Sequence, residues 1–224
     1  MRRRIFFSLM IAVVLTCAAL DVRAQSGKVE MLPALADSAV PEAVRATLEP
    51  KGYRIILDDG SAVCEVWLLK SISAQPKKDV PGAAYPALAE STLVGVLHFA
   101  QPGSDYRGQS IAAGYYTLRY ELLPNDGNHL GAAPNRDFLL LSPAAADSDP
   151  TAQPKPMDVI ERSRKASGTR HPAPLSLVQP DSASASGSSV TKGEEDHWIF
   201  ATHVKLTSGE DFPLALVVKG QAQQ

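Results

Sequence analysis

Short hydrophobic runs bounded by turn residues, typical of β-strands, begin after Gly52. Two such runs, residues 53–57 and 62–69, flank the turn sequence Asp-Asp-Gly-Ser at 58–61. Asp-Gly favours turns whose twist matches a β-hairpin. The pattern therefore predicts an antiparallel hairpin. Residues 91–100, STLVGVLHFA, predict a third strand that is apolar on both faces and therefore central in its sheet.

The most regular alternation lies in residues 115–122, YYTLRYEL, and DFLLLSPA at 137–144 predicts the next strand. One face of the first strand carries Tyr116, Leu118, Tyr120 and Leu122, and the other carries Tyr115, Thr117, Arg119 and Glu121. Because successive side chains of a strand point to opposite faces, we expect the first set to face a core and the second to face solvent.

Residues 142–194 are rich in Pro, Ser, Ala and Asp and show little periodicity, which indicates a loop-rich insertion. Within it, Pro156 and Gly168 bound one predicted helix. The prolines of HPAPLSLVQ, residues 171–179, restrict that segment to a short edge strand.

The low-complexity segment at 181–196 predicts an exposed loop. After it, residues 197–208 and 212–220 predict a closing hairpin.

Near the N-terminus, residues 25–37 read as a loose entry segment. Residues 39–52 predict a short helix, with Ser38 as its cap, Pro41 in its first turn and Gly52 at its end.

About seven strands without a βαβ alternation favour a mainly β fold, an antiparallel β-sandwich with one or two short inserted helices. A closed barrel is the alternative. We expect residues 25–224 to form a single domain with the 142–194 insertion.

The first 24 residues have the layout of a secretory signal peptide. Three arginines at positions 2–4 precede an apolar run at 5–20, and a cleavage site follows Ala24. This predicts export to the periplasm or the outside, without a transmembrane segment after cleavage. A lipid anchor on Cys17 is the alternative.

Removing the signal takes four arginines from 22 basic residues and one aspartate from 24 acidic residues, which leaves a formal charge of −5. This charge argues against nucleic acid as a partner. Removal of the signal also leaves Cys64 as the single cysteine, which excludes an internal disulfide. We expect Cys64 to be a small buried hydrophobic residue.

Residues 108–122, GQSIAAGYYTLRYEL, carry an I-x-A-G-x-Y-x-L strand entry. This segment resembles uncharacterised exported bacterial β-sandwich proteins, including prealbumin-like and carboxypeptidase-regulatory-like modules. The resemblance covers about fifteen residues and implies a folding motif in which Gly114 permits a positive φ angle. It implies a binding or spacing role and carries over no catalytic residue.

The first candidate site is NDGNHLGAAPNRD, residues 125–137, a connection longer than a hairpin needs. Its candidate ligand-binding residues are Asp126, Asn128, His129, Arg136 and Asp137. Arg136 and Asp137 have an alternative structural role, in an ion pair or in hydrogen bonds to loop backbone.

The second candidate site joins His98, His129 and His171, which would hold a divalent transition metal if the fold brought them together. No cofactor is otherwise expected. Aromatic residues offer a third surface: Trp67 and Trp198 are expected in the core, and Tyr85, Tyr106 and Tyr115 are expected to be exposed for contact.

These patterns predict a secreted, non-enzymatic module of the cell envelope with a binding or structural role. Its partner is an envelope protein, a glycan or a small ligand. The alternative is a metal-binding protein or metal-dependent envelope enzyme that uses the three histidines.

Overall fold

The computed structural model describes residues 25–76, 80–125, 133, 135–179 and 187–222. Its strands are β1 (Lys28–Pro33), β2 (Lys51–Ile56), β3 (Ala62–Leu68), β4 (Leu93–Phe99), β5 (Gly103–Ser104), β6 (Ser110–Ile111), β7 (Gly114–Leu122), β8 (Asp137–Pro143), β9 (Pro174–Ser176), β10 (Ser189–Lys192), β11 (Trp198–Lys205) and β12 (Asp211–Lys219). The α-helices are α1 (Glu42–Arg45) and α2 (Pro156–Ser167).

These strands form an antiparallel β-sandwich, which confirms the predicted fold class. Seven strands make the larger sheet in the order β1-β2-β3-β4-β7-β8-β9, and β10-β11-β12 make the smaller one. The hydrophobic core draws on both sheets, and the rings of Tyr53 and Phe200 meet across it with centroids 5.3 Å apart. No helix of the described residues is long and apolar enough to cross a membrane.

Isolated bridges join the two sheets along both edges. Ser26 pairs with Thr191 at one edge, and Leu177 pairs with Leu216 at the other. The two sheets of the sandwich are therefore joined by single bridges at both edges.

The predicted hairpins are confirmed: β2 pairs with β3 around Gly60, whose φ is +82°, and β11 pairs with β12. The expected central strand, β4, lies between β3 and β7. β9 ends the larger sheet, as its prolines predicted.

Two segments expected to be irregular contain strands. Residues 28–33 are not loose, because they pair in full register with β2 as β1. Within the predicted loop at 181–196, Ser189–Lys192 pair with β11, while residues 181–186 lie outside the described residues. Backbone pairing with a neighbouring strand needs no apolar pattern, so neither strand was visible in the sequence.

The N-terminal helix is shorter than predicted, because α1 spans four residues and has no side-chain cap. Beyond it, Leu48 bridges to Leu69 and the chain enters β2. Gly52 does not end a helix; it lies in β2, where an added Cβ would stand 2.4 Å from Trp67 Nε1. Tertiary pairing has overridden the local helix signals.

The helix predicted after Pro156 is confirmed as α2. Pro156 occupies its first turn, and Gly168 ends it in the left-handed conformation, φ +65°. Contacts between α2 and β8 place the helix on one face of the larger sheet. This placement leaves a cavity between the helix and the sheet.

Candidate functional site

The helix–sheet cavity lies between α2 and the part of the larger sheet formed by β7, β8 and β9. Its volume is about 580 Å³, within the usual range for small-molecule sites. Strand residues, α2, the segment around Tyr106 and the chain around His171 all contribute to its walls.

Apolar side chains make most of the wall. Phe138 and Leu140 come from β8, and Met157 and Ile160 come from α2. Met157 is 57% exposed, although large hydrophobic side chains usually lie inside a protein. An apolar ligand would therefore remove hydrophobic surface from water here.

The β7 side of the cavity is acidic. Glu121 from β7 and Glu90, which precedes β4, both line it. The Glu121 side chain is 5% exposed, and its Oε1 accepts a hydrogen bond of 2.9 Å from the Ser91 hydroxyl. Burial raises the pKa of Glu121 to about 7, with a smaller contribution from Glu90. Ser91 has a left-handed backbone, φ 69°, a costly conformation for a residue other than glycine.

The β9 side of the cavity is basic, with Arg107, Arg164 and His171 in its lining. The Tyr106 amide donates to the Pro174 carbonyl, which places Arg107 beyond β9. Arg164 lies in the last turn of α2, and its Nε is buried without a hydrogen-bond partner among the described residues.

A buried ion pair holds α2 against the sheet. Arg119 of β7, which is fully buried, donates two hydrogen bonds to Asp147, at 2.6 and 2.9 Å. Arg162 of α2 donates to the same carboxylate at 2.6 Å. Burial alone would raise the pKa of Asp147, but these arginines and Thr117 hold it below its ordinary value.

The outer face of β7 was wrongly predicted to be solvent-exposed at three positions. Thr117, Arg119 and Glu121 are all buried, because α2 and the segment that carries Asp147 cover this face. Tyr115 alone of the predicted outer set is half-buried. The alternation identified the strand correctly, but periodicity carries no information about a helix that packs on the polar face later in the chain.

Two predicted site residues, Asp137 and Arg136, bind loop backbone. The Asp137 carboxylate accepts hydrogen bonds from the amides of Ala84 and Tyr85, at 2.6 and 2.9 Å, and from the Tyr120 hydroxyl at 2.7 Å. Arg136 donates to the carbonyls of Leu123 and Pro81, and it also lines the cavity. Their ligand-binding role stays a prediction, and Asp126, Asn128 and His129 lie outside the described residues.

The two described histidines of the predicted metal trio have different surroundings. His98 Nδ1 lies 2.9 Å from Glu65 Oε2, and its ring stacks on Tyr115. His171 lines the basic side of the cavity. Across the described ranges no three His, Cys, Asp or Glu side chains form a group suited to a metal ion. With His129 undescribed, the trio stays a prediction, which metal analysis of the protein with and without His129→Ala would test.

His98 belongs to a row of paired polar residues that crosses five strands. Glu30, Arg54, Glu65, His98 and Tyr115 face one another in successive pairs from β1 to β7. Arg54 bonds Glu65 at 2.8 Å and lies 3.7 Å from Glu30, so the first three positions of this row form a cross-strand set of opposite charges.

The other residues singled out in the sequence are mostly structural. Cys64 is buried as predicted, and burial raises the pKa of its thiol to about 12. Trp67 and Trp198 are in the core, as predicted. Tyr85 and Tyr106, expected to be exposed, are buried instead, and the Tyr85 hydroxyl bonds Val178 and Ala215 across the sheet edge.

No protein-family model, curated protein or solved structure matches this chain.

Proposed function

We propose that this protein is a non-enzymatic binding module of the cell envelope, and that it holds a small, largely apolar ligand in the helix–sheet cavity. The observation that supports this proposal is a cavity of about 580 Å³ with mostly apolar walls, into which α2 contributes the exposed Met157. The signal-peptide pattern supports export. Mass spectrometry of the protein produced with its first 24 residues tests it: a chain beginning at Gln25 supports export, and an uncleaved chain contradicts it.

The cavity is well suited to binding because its walls are held in place. Asp147 joins α2 to β7 through Arg162 and Arg119, so the helix does not need to be ordered when a ligand arrives. Preorganised walls reduce the entropic cost of binding.

Calorimetric titration with n-octanol tests the proposal. Met157→Glu places a charge on the apolar wall at an exposed position, where it should disturb folding little. We expect wild-type protein to bind n-octanol and Met157→Glu to bind it at least about tenfold more weakly, because one desolvated charge offsets more than 1.4 kcal/mol of burial.

Met31→Glu is the matched control, because Met31 is 60% exposed and lies on β1, outside the cavity lining. It should bind as the wild type does. Absence of n-octanol binding to the wild type, or equal weakening by both substitutions, would overturn the proposed function.

A further inference from the structure

The ionisable residues of the cavity are sorted by charge across the sheet. Glu121 belongs to β7, and Glu90 precedes Ser91, whose amide donates to the Tyr120 carbonyl of β7. On the other side, Arg107 follows Tyr106, whose amide donates to the Pro174 carbonyl of β9, and His171 lies three residues before β9. Arg164 follows Ser163, whose hydroxyl accepts the Ala173 amide beside β9. β8 separates β7 from β9, and its Phe138 and Leu140 supply apolar wall between the two charged ends. Because adjacent strands are about 4.8 Å apart, the acidic and basic ends are separated by roughly 10 Å.

We propose that the ligand is bipolar, with a primary ammonium against Glu121 and Glu90, a carboxylate against Arg107, Arg164 and His171, and an apolar body between them. This inference rests on the proposed function and names the chemical class of its ligand.

Glu121 is suited to receive the ammonium. Its Oε1 already accepts the Ser91 hydroxyl, while Oε2 accepts no hydrogen bond within the described part of the chain. Glu90 adds a second negative charge nearby. Arg119, whose charge opposes the rise that burial causes in the pKa of Glu121, is committed to Asp147 and to the carbonyls of Ser91, Asp149 and Ala152. A ligand ammonium would supply the charge partner that a buried carboxylate otherwise lacks.

The opposite end is suited to a carboxylate. Arg164 carries a buried Nε without a partner among the described residues, and its Nη1 pairs with Glu161. Within the same described residues, no acceptor bonds the Arg107 guanidinium, and the His171 side chain is exposed. Guanidinium groups bind carboxylates with paired, charge-assisted hydrogen bonds.

Arg136 is the exception to this sorting, because it lies beside the acidic end. Its guanidinium is held by the carbonyl oxygens of Leu123 and Pro81. It therefore completes the loop structure there and, among the described residues, donates no hydrogen bond to Glu121.

Calorimetry with four eight-carbon probes separates the two ends. The probes are n-octanol, n-octylamine, octanoate and 8-aminooctanoate, all titrated at pH 8. Each charge-assisted hydrogen bond contributes about tenfold in affinity. We therefore expect octylamine and octanoate each to bind more tightly than octanol, and 8-aminooctanoate to bind most tightly.

Two substitutions assign each charge to its end. Glu121→Gln keeps an acceptor for Ser91 and should remove the advantage of octylamine over octanol, whereas Glu210→Gln, at an exposed turn, should leave it unchanged. Arg164→Gln should reduce the advantage of octanoate over octanol, whereas Lys165→Gln, exposed and outside the lining, should not.

The outcomes distinguish this inference from the proposed function. If octanol binds but the charged probes bind within about threefold of it, the bipolar ligand is wrong and the binding module stands. If octanol does not bind, both are wrong, because the bipolar ligand rests on a cavity that binds an apolar body. Equal effects of Glu121→Gln on all probes also overturn the inference.

Two sources supply this chemistry: an ω-amino acid and a short apolar peptide with free ends. The tripeptide Ala-Leu-Ala, its N-acetyl form and its C-terminal amide distinguish them. Tighter binding of the free tripeptide than of 8-aminooctanoate identifies a peptide, and the reverse identifies an amino acid. If blocking either end of the better ligand leaves its affinity unchanged, the bipolar assignment is contradicted.

Discussion

At the scale of single residues, the candidate site depends on Glu121, a glutamate of β7 that is buried although the alternation of the strand predicts it to be exposed. Glu121 is 5% exposed and its pKa is raised to about 7 by burial. A carboxyl group with a pKa near neutrality is common where a protein binds or reacts with a ligand. The hydrogen bond from Ser91 is satisfied whether Glu121 is charged or neutral.

Glu121 should make the stability of the protein depend on pH. An unfolded glutamate ionises near 4.5, whereas the folded one ionises near 7. Between these values the folded state holds a proton that the unfolded state has released, so the free energy of unfolding falls as pH rises from about 4.5 to about 7. Above pH 7 Glu121 is ionised in both states, and the full free-energy cost of burying its carboxylate lowers the stability of the folded state.

We therefore expect Glu121→Gln to stabilise the ligand-free protein more at pH 8 than at pH 4.5, by on the order of 1 to 3 kcal/mol. Urea unfolding at the two pH values measures the difference, and Glu210→Gln, at an exposed residue, provides the control. The same stability change at both pH values would show that the Glu121 carboxyl is not desolvated as described.

At the scale of elements, local sequence patterns predict neither the packing of α2 on the larger sheet nor the bridges that join the two sheets at their edges. Hairpins were predictable because their turns and alternation are local, as at Gly60 between β2 and β3. β1 and β10 were not, because non-local pairing defines them. The cavity was not predictable either, since its lining joins residues as distant as Glu90 and Ala222.

The contact between α2 and β7 depends on Asp147. Asp147→Asn removes the charge that compensates buried Arg119, so we expect it to lower the free energy of unfolding by about 3 to 5 kcal/mol. Because the pKa of Asp147 is lowered, this stabilisation is present at neutral pH and is lost as pH falls through the folded pKa. Asp211→Asn, at an exposed pair with Lys205, is the control.

Urea unfolding of both variants at pH 7 and pH 3 measures this effect. The loss in Asp147→Asn should shrink at the lower pH, because below the ordinary pKa of 3.8 the unfolded carboxyl takes up a proton before the folded one, whose pKa is lowered. A loss below about 1 kcal/mol at pH 7, similar to that of a surface substitution, would contradict the role of the pair.

At the scale of the whole molecule, the two sheets share one core and are bridged at both edges. We expect them to unfold together. Trp67 lies in the larger sheet and Trp198 in the smaller one, and the protein has no other tryptophan. Fluorescence of Trp67→Phe and Trp198→Phe therefore reports each sheet separately.

In each variant, the unfolding midpoint measured by fluorescence of the remaining tryptophan should equal the midpoint measured by far-ultraviolet circular dichroism. Fluorescence that changes at a lower urea concentration than circular dichroism in one variant alone would show that its sheet unfolds independently.

The central claim is that the cavity under α2 is the binding site, and Met31 and Met157, the methionines of residues 25–224, test it without mutation. Met157 lies in the cavity wall, and Met31 lies on β1. In a titration of methyl-¹³C-methionine-labelled protein with n-octanol followed by NMR, we predict a saturable shift of the Met157 methyl signal while that of Met31 stays in place. An unchanged Met157 signal, or equal shifts of both methyl groups, would contradict this account.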